Sequence, residues 1–302
     1  ILKNKGLKLD VNKIIFFNFI YLTMPYLDTF SGNWTAKEAR HLLNRTSFGV
    51  TETMVSEAMN LGLAATINQL FEFKNLPEPP LKYQLDGTEN GEINDPEANY
   101  GETWVYAKPL PEVPANQNRN KVINARKKSL YAWSYLQMQN TGISIREKLT
   151  LFWHNHFVAE NNNPHREFIY INTLRSNALG NFKELVKLIT IDSNMLLYLS
   201  GSQNTKKAPN ENYSRELLEL FTIGKGNAAG NGDYTNYTED DVVQMAKILT
   251  GWRVKGLANE DALTPFFSSS NHSKDSKTLS HRFNNDIISE NGENEYKDLI
   301  DR

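Results

Sequence analysis

Three times in this chain a Ser or Thr stands three places before Glu or Asp at the head of an apolar-striped segment: Thr35-x-x-Glu38, Ser144-x-x-Glu147 and Thr238-x-x-Asp241. In such a capping box the hydroxyl takes one orphan amide of the first helical turn and the carboxylate takes another, so each pattern marks a helix start. Glycines mark the stops, at Gly62, Gly142, Gly224 and Gly251. Period-2 alternation hardly appears. The spacing predicts helices over 35–44, 52–60, 63–73 and 121–140, and one from Ser144 through "WHNHF". Further helices are expected over 165–179, 181–190, 193–199, 210–224 and from Thr238 to just before Gly251. The fold class expected is all-α, an irregular multi-helix bundle.

One stretch breaks the rhythm. Residues 74–120 hold seven of the eleven prolines and no periodicity, so they read as a long Pro-rich loop insertion, with a hairpin around Tyr100–Tyr106. Residues 1–23 are rich in Lys, Asn, Ile and Phe and read as a non-native or signal-like leader. Their apolar run, Ile14–Leu22, is too short for a membrane span. Residues 24–302 are then a single helical domain, truncated at its C-terminus, where the amphipathic "NEYKDLIDR" stops without a cap. With 33 basic against 35 acidic residues no global positive field exists, and no nucleic-acid partner is expected. The absence of cysteine rules out disulfides, a thiolate nucleophile and Cys-ligated zinc.

The candidate chemistry centres on histidine, of which the chain has six. Two lie one residue apart in "REKLTLFWHNHF" (146–157). Each helical residue turns by about 100°, so His154 and His156 point about 160° apart and cannot chelate one ion from a regular helix. His156 falls in line with Ile145, Leu149 and Phe152 and reads as a core histidine bonded through its nitrogens. His154 falls in line with Glu147, where it suits a ligand, a general base oriented by that carboxylate, or a charge at the helix C-terminus. In "NENYSRELLELFTIG" (210–224), Tyr213, Leu217, Leu220 and Phe221 make an apolar face. Glu211–Arg215 and Arg215–Glu219 are i,i+4 pairs whose bland reading is a solvated ladder. The functional reading makes Glu216 an inward acid/base or metal ligand. Glu38-x-x-His41 resembles half of a di-iron site, but no second Glu-x-x-His exists. No nucleophile elbow, phosphate-binding loop or His-Glu-x-x-His motif is present.

Taken in order, "HLLNRTSFG" (41–49), "REKLTLFWHNHF", "NENYSRELLELFTIG" and "YTEDDVVQMAKILTGW" (237–252) resemble the bacterial family called domain of unknown function 1800. Its motif residues fall on His41, Arg45, Phe48 and Gly49; on Trp153, His154, His156 and Phe157; on Asn212, Arg215, Glu216 and Glu219; and on Thr250, Gly251 and Trp252. A later His/Lys motif is met by His272 and Lys277, with Ser273 in place of the usual acidic residue. The resemblance implies a large, mainly helical protein, often exported, encoded beside another exported protein that would be its partner. No established activity comes with it. A periplasmic or exported location is therefore expected, or a cytoplasmic one if Met24 is the true start. Two functions are carried forward. The first is a metal-assisted or acid/base enzyme in or near the envelope, with His154, Glu216 and Arg215 catalytic and His154, His156, His41 and His272 holding a divalent metal. The second is a non-catalytic envelope or assembly scaffold in which the motif His, Arg and Glu residues form a structural polar network.

Overall fold

The computed structural model describes residues 29–72, 75–83, 95–113 and 118–302. The leader expected over 1–23, Met24 and parts of the 74–120 stretch lie outside the described residues. The helices are α1 (Ala36–Thr46), α2 (Glu52–Leu61), α3 (Leu63–Phe71), α4 (Arg119–Gln139), α5 (Arg146–His156), α6 (Pro164–Ser176), α7 (Phe182–Thr190), α8 (Ser193–Tyr198), α9 (Glu211–Glu216), α10 (Glu239–Ile248) and α11 (Glu295–Ile300). A π-helical turn, Leu217–Phe221, continues α9. None of the helices among the described residues is long and apolar enough to cross a membrane.

The protein is mostly helical, but not purely so. Three antiparallel two-stranded ribbons follow the π turn: β1 (Ala228–Gly230) with β2 (Asp233–Tyr234), β3 (Trp252–Arg253) with β4 (Phe266–Phe267), and β5 (Lys277–Thr278) with β6 (Ile287–Ile288). Strands of two or three residues are too short to show alternation, so the all-α expectation missed them. Of the three capping boxes, Thr238–Asp241 forms in full, and Asp241 also accepts from the backbone and hydroxyl of Ser280. Ser144–Glu147 does not form. Residue 145 is the N-cap, and Glu147 is instead buried in an ion pair.

That pair sets the packing of the central helices. Arg175 of α6 donates from Nε and one Nη to the two carboxylate oxygens of Glu147 in α5, each at 2.9 Å, and both residues are buried. The same guanidinium lies 4.6 Å over the Trp133 ring of α4. Three helices therefore meet on one side chain. Below them runs the main core, built from α6, α7, α8, α9, α10 and α11 around Phe157, Tyr170, Leu174, Ile189, Met195 and Val242. A second apolar cluster, Ala39, Leu43, Val55, Ala58 and Leu70, closes α1–α3 on Ile143.

Before α4 begins at Arg119, the described part of the Pro-rich stretch has no helix, and its only strand-like feature is a single bridge, Leu81 to Thr103. Tyr100–Tyr106 forms turns rather than a hairpin. The segment still packs closely against α4. Trp104 is fully buried with its indole N–H donating to Ser129, and Asp95 receives Arg126 at 2.6 and 2.7 Å. With φ fixed by its prolines, such a segment can be ordered by a few deep anchors instead of a hydrogen-bond ladder.

Because removing one partner leaves an uncompensated buried charge, Glu147→Ala should cost about 3–5 kcal/mol in urea unfolding. The apolar double variant Glu147→Leu/Arg175→Met should recover most of that loss.

Candidate functional site

The two central motif helices meet at the end of α5. Trp153 of α5 donates its indole N–H to the Ala178 carbonyl at 3.0 Å, and Tyr170 of α6 donates to the Phe157 carbonyl at 2.5 Å. These bonds fix the α5 C-terminus, whose last carbonyls have no intrahelical donors. His156 then reaches out of it. Its Nε2 lies 2.8 Å from the Phe221 carbonyl, so the ring carries its proton on Nε2 and donates to the end of the π turn. Phe152, Trp153, Phe157, Phe182 and Phe221 surround it. The expectation of a bonded histidine among apolar neighbours describes this side chain, although it is half-buried rather than core.

His154 points elsewhere. It packs edge-on against Tyr170, with ring centroids 6.4 Å apart, and makes no hydrogen bond within the described residues. Burial lowers its pKa from the ordinary value, which favours the neutral ring at neutral pH. Glu147 does not orient it, because that carboxylate is committed to Arg175. Glu216 is half-buried and has no hydrogen bond or ion pair, so none joins it to His154.

The π turn changes which residues face inward. Its wider i→i+5 spacing buries Leu217, Leu218 and Phe221 and leaves Leu220 62% exposed, while the Thr222 hydroxyl donates to the Leu217 carbonyl at 2.6 Å. The regular face expected through Leu220 is thus rotated. Arg215 pairs with Glu211 as expected, but its shorter contacts, 2.7 and 3.0 Å, are to Glu239 at the start of α10. Glu219 takes Lys225 and the Tyr237 hydroxyl instead of Arg215. These bonds close the β1–β2 ribbon onto α9.

His272 and Lys277 belong to a third locus, together with Glu295, which the sequence reading missed. His272 Nε2 meets one Glu295 oxygen at 2.9 Å and Lys277 Nζ the other at 2.6 Å. The remaining His272 nitrogen lies 2.8 Å from the Thr250 carbonyl, and Lys277 also donates to the Ser273 carbonyl at 2.7 Å. All three side chains are buried, at 1%, 0% and 0% exposure. Burial pushes the Glu295 pKa up, but the bonds from His272 and Lys277 outweigh it and bring the pKa below the ordinary value. Gly251 makes room for the cluster. Its φ is +99°, and a Cβ there would stand 3.0 Å from the Ser268 carbonyl and 3.1 Å from the Cβ of His272. Glu295 is buried beside Tyr296 and Leu299 on the inner side of α11, a six-residue helix too short for its pattern to mark the carboxylate as buried.

His41, on α1, is exposed. The four histidines expected as metal ligands are therefore not brought together. Among the described residues no group of three or more His, Cys, Asp or Glu is placed to hold a metal ion. The first motif does touch the second, through Lys148, which donates to the Ser47 carbonyl at 3.3 Å and lies 4.6 Å over the Phe48 ring.

Beside Tyr170 sits a polar cluster without a motif. Asp192, the N-cap of α8, accepts from the Asn194 amide at 2.7 Å, and burial pushes its carboxyl up to about 6. The Asn194 side chain is fully buried with neither amide atom bonded. In the pocket of Trp104, burial brings His165 down to about 4.

The family model described as Protein of unknown function (DUF1800) matches residues 41–302. No curated protein and no solved structure matches the chain.

Asp192 and His165 oppose each other in acid. A raised carboxyl gives stability that is full below about pH 4 and lost as pH rises through about 6. A lowered imidazole gives stability that is full above about pH 6.5 and lost as pH falls toward 4. Asp192→Asn should therefore be more stable than the parent by up to about 2–3 kcal/mol at pH 7.5, with the gain gone at pH 4. Denaturation measured across this range should show the variant losing stability steadily on acidification while the parent changes less.

Proposed function

The chain belongs to the DUF1800 family, and from that premise we propose that the family's motif residues form a structural framework in a non-catalytic envelope or assembly protein. The observation that carries this reading is the closure of the His272–Glu295–Lys277 cluster, whose three side chains are at most 1% exposed and pair with one another and with backbone carbonyls. A group that must bind substrate or move a proton needs an open position, and this cluster offers none. His156 supports the same reading, since its Nε2 is spent on the Phe221 carbonyl. So does Arg215, which ties α9 to α10. The network is not one continuous web, as the sequence suggested. It is a set of separate clasps, each joining two motifs or a motif to a terminal segment. The envelope location rests on the family resemblance, and the partner would be the neighbouring exported protein.

A second reading, an acid/base or metal-assisted enzyme, draws support from His154 and Glu216. Both are half-buried and uncommitted, and burial favours the neutral form of His154. Among the described residues His154 belongs to no group of three or more His, Cys, Asp or Glu that could hold a metal ion.

Thermal melts and elemental analysis separate the two. The framework reading expects His272→Ala and Lys277→Met to lose about 3–5 kcal/mol, as for other broken buried charge pairs, while the natively purified protein carries no stoichiometric metal. Stoichiometric metal that disappears in His154→Ala or Glu216→Ala, with normal melting, would instead establish the enzyme.

A further inference from the structure

We propose that an asparagine-lined cleft beside the turn between α5 and α6 binds a neutral, polyhydroxylated ligand, an oligosaccharide. The cleft has two concavities, of about 400 and 460 Å³, and both are lined by Asn161 and Asn162. Each volume lies within the range of about 300–1,000 Å³ usual for small-ligand sites. Asn120 and Asn124, one turn apart on α4, form the wall of the first, with Ile123 and Leu257 as its apolar patches. Glu160, Leu197 and Tyr198 line the second.

The amides are held in place but not used up. Asn161 Oδ1 accepts from the Asn163 backbone at 2.9 Å, and Asn162 Oδ1 accepts from Lys127 at 3.4 Å, so the NH₂ group of each remains uncommitted. The side chains of Asn120 and Asn124 make no hydrogen bond within the described residues. The walls behind them are fixed by buried groups. Asn163, 3% exposed, caps α6 and donates to the Pro109 carbonyl at 3.0 Å. Arg166, 6% exposed, donates to the carbonyls of Lys255 and Ala262, both at 3.0 Å, and so positions the loop that carries Leu257. A rigid support under an adaptable polar lining is what a binding site requires.

The lining also selects the ligand. A carboxamide offers donors and acceptors in one plane, which suits the paired hydroxyls of a sugar ring and gives no advantage to a charged group. One carboxylate, Glu160, lines the second concavity, and the nearby cation, Lys127, is turned onto Asn162 and the Tyr131 ring. Phosphate or nucleic acid would need a cluster of cations in place of this. The short apolar patches and Tyr198, 44% exposed, suit the C–H faces of the rings. Because both concavities share the Asn161–Asn162 ridge, the ligand that fills them spans more than one ring. This site uses none of the residues of the framework proposed above and stands independently of it.

Calorimetric titration of the full chain with maltohexaose, cellohexaose, xylohexaose and chitohexaose tests the proposal, with hexaalanine and polyphosphate in parallel. The expected result is saturable binding of at least one hexasaccharide that persists at high salt. Asn120→Leu/Asn124→Leu, at exposed positions where leucine favours helix, should weaken it about tenfold or more without lowering the melting temperature. Asn162→Ala should weaken it independently. The proposal is overturned if no hexasaccharide binds, if hexaalanine or polyphosphate alone binds, or if both variants bind as the parent does.

Discussion

The guanidinium of Arg175 is the point on which the centre of the molecule turns. Its two parallel bonds to Glu147 set the rotation of α5 about its own axis, and its contact with Trp133 brings α4 to the same place. Planar, bidentate pairing fixes direction as well as distance, which a lysine could not do. Once α5 is so turned, Trp153 and His156 at its other end face α7 and the π turn, and His154 is left toward Tyr170. Desolvating two charges is costly, and burying them in this orientation gives a defined packing in return.

The same economy recurs where helices end. Short helices leave many carbonyls without donors, and this chain closes them with long side chains arriving from other elements. Asn204 donates to the Ala246 carbonyl near the end of α10 and Arg253 to that of Asn204, and in the Pro-rich stretch the same kind of bond runs from Trp133 to the Glu78 carbonyl and from Lys82 to that of Ala98. Such bonds tie irregular segments to the helices without needing a sheet. They explain how the described residues, whose strands are all of two or three residues, keep so much non-helical chain in place.

Helix positions were legible because capping residues, glycines and apolar periodicity act over a few residues. Thr238 with Asp241, Asn163 with Pro164 and the glycine at 62 did what their local chemistry requires. Misreadings arose where a distant partner decided. Glu147 looks like a capping residue until Arg175, 28 residues away in sequence, is placed beside it. Trp104 and Asp95 gave no periodic signal, because a segment anchored by isolated side chains has none. At the candidate site, helix geometry did separate the two histidines of α5, and the bonded one is His156. The carboxylate that completes the His272–Lys277 cluster was hidden in a short final helix, where one turn of pattern cannot distinguish a buried glutamate from a solvated one.

The π turn carries a consequence for how this region tolerates change in length. A π turn holds one residue more than the α-helical turn it replaces. Deleting a single residue between Leu217 and Phe221 would let α9 run on as a regular helix. It would also swing everything after it by about 100°, so that the Phe221 carbonyl turned away from His156 and the ribbon came off its Arg215 and Glu219 clasps. The motif is therefore defined by its spacing as much as by its letters, and a chain with the same residues and one fewer of them would build a different junction.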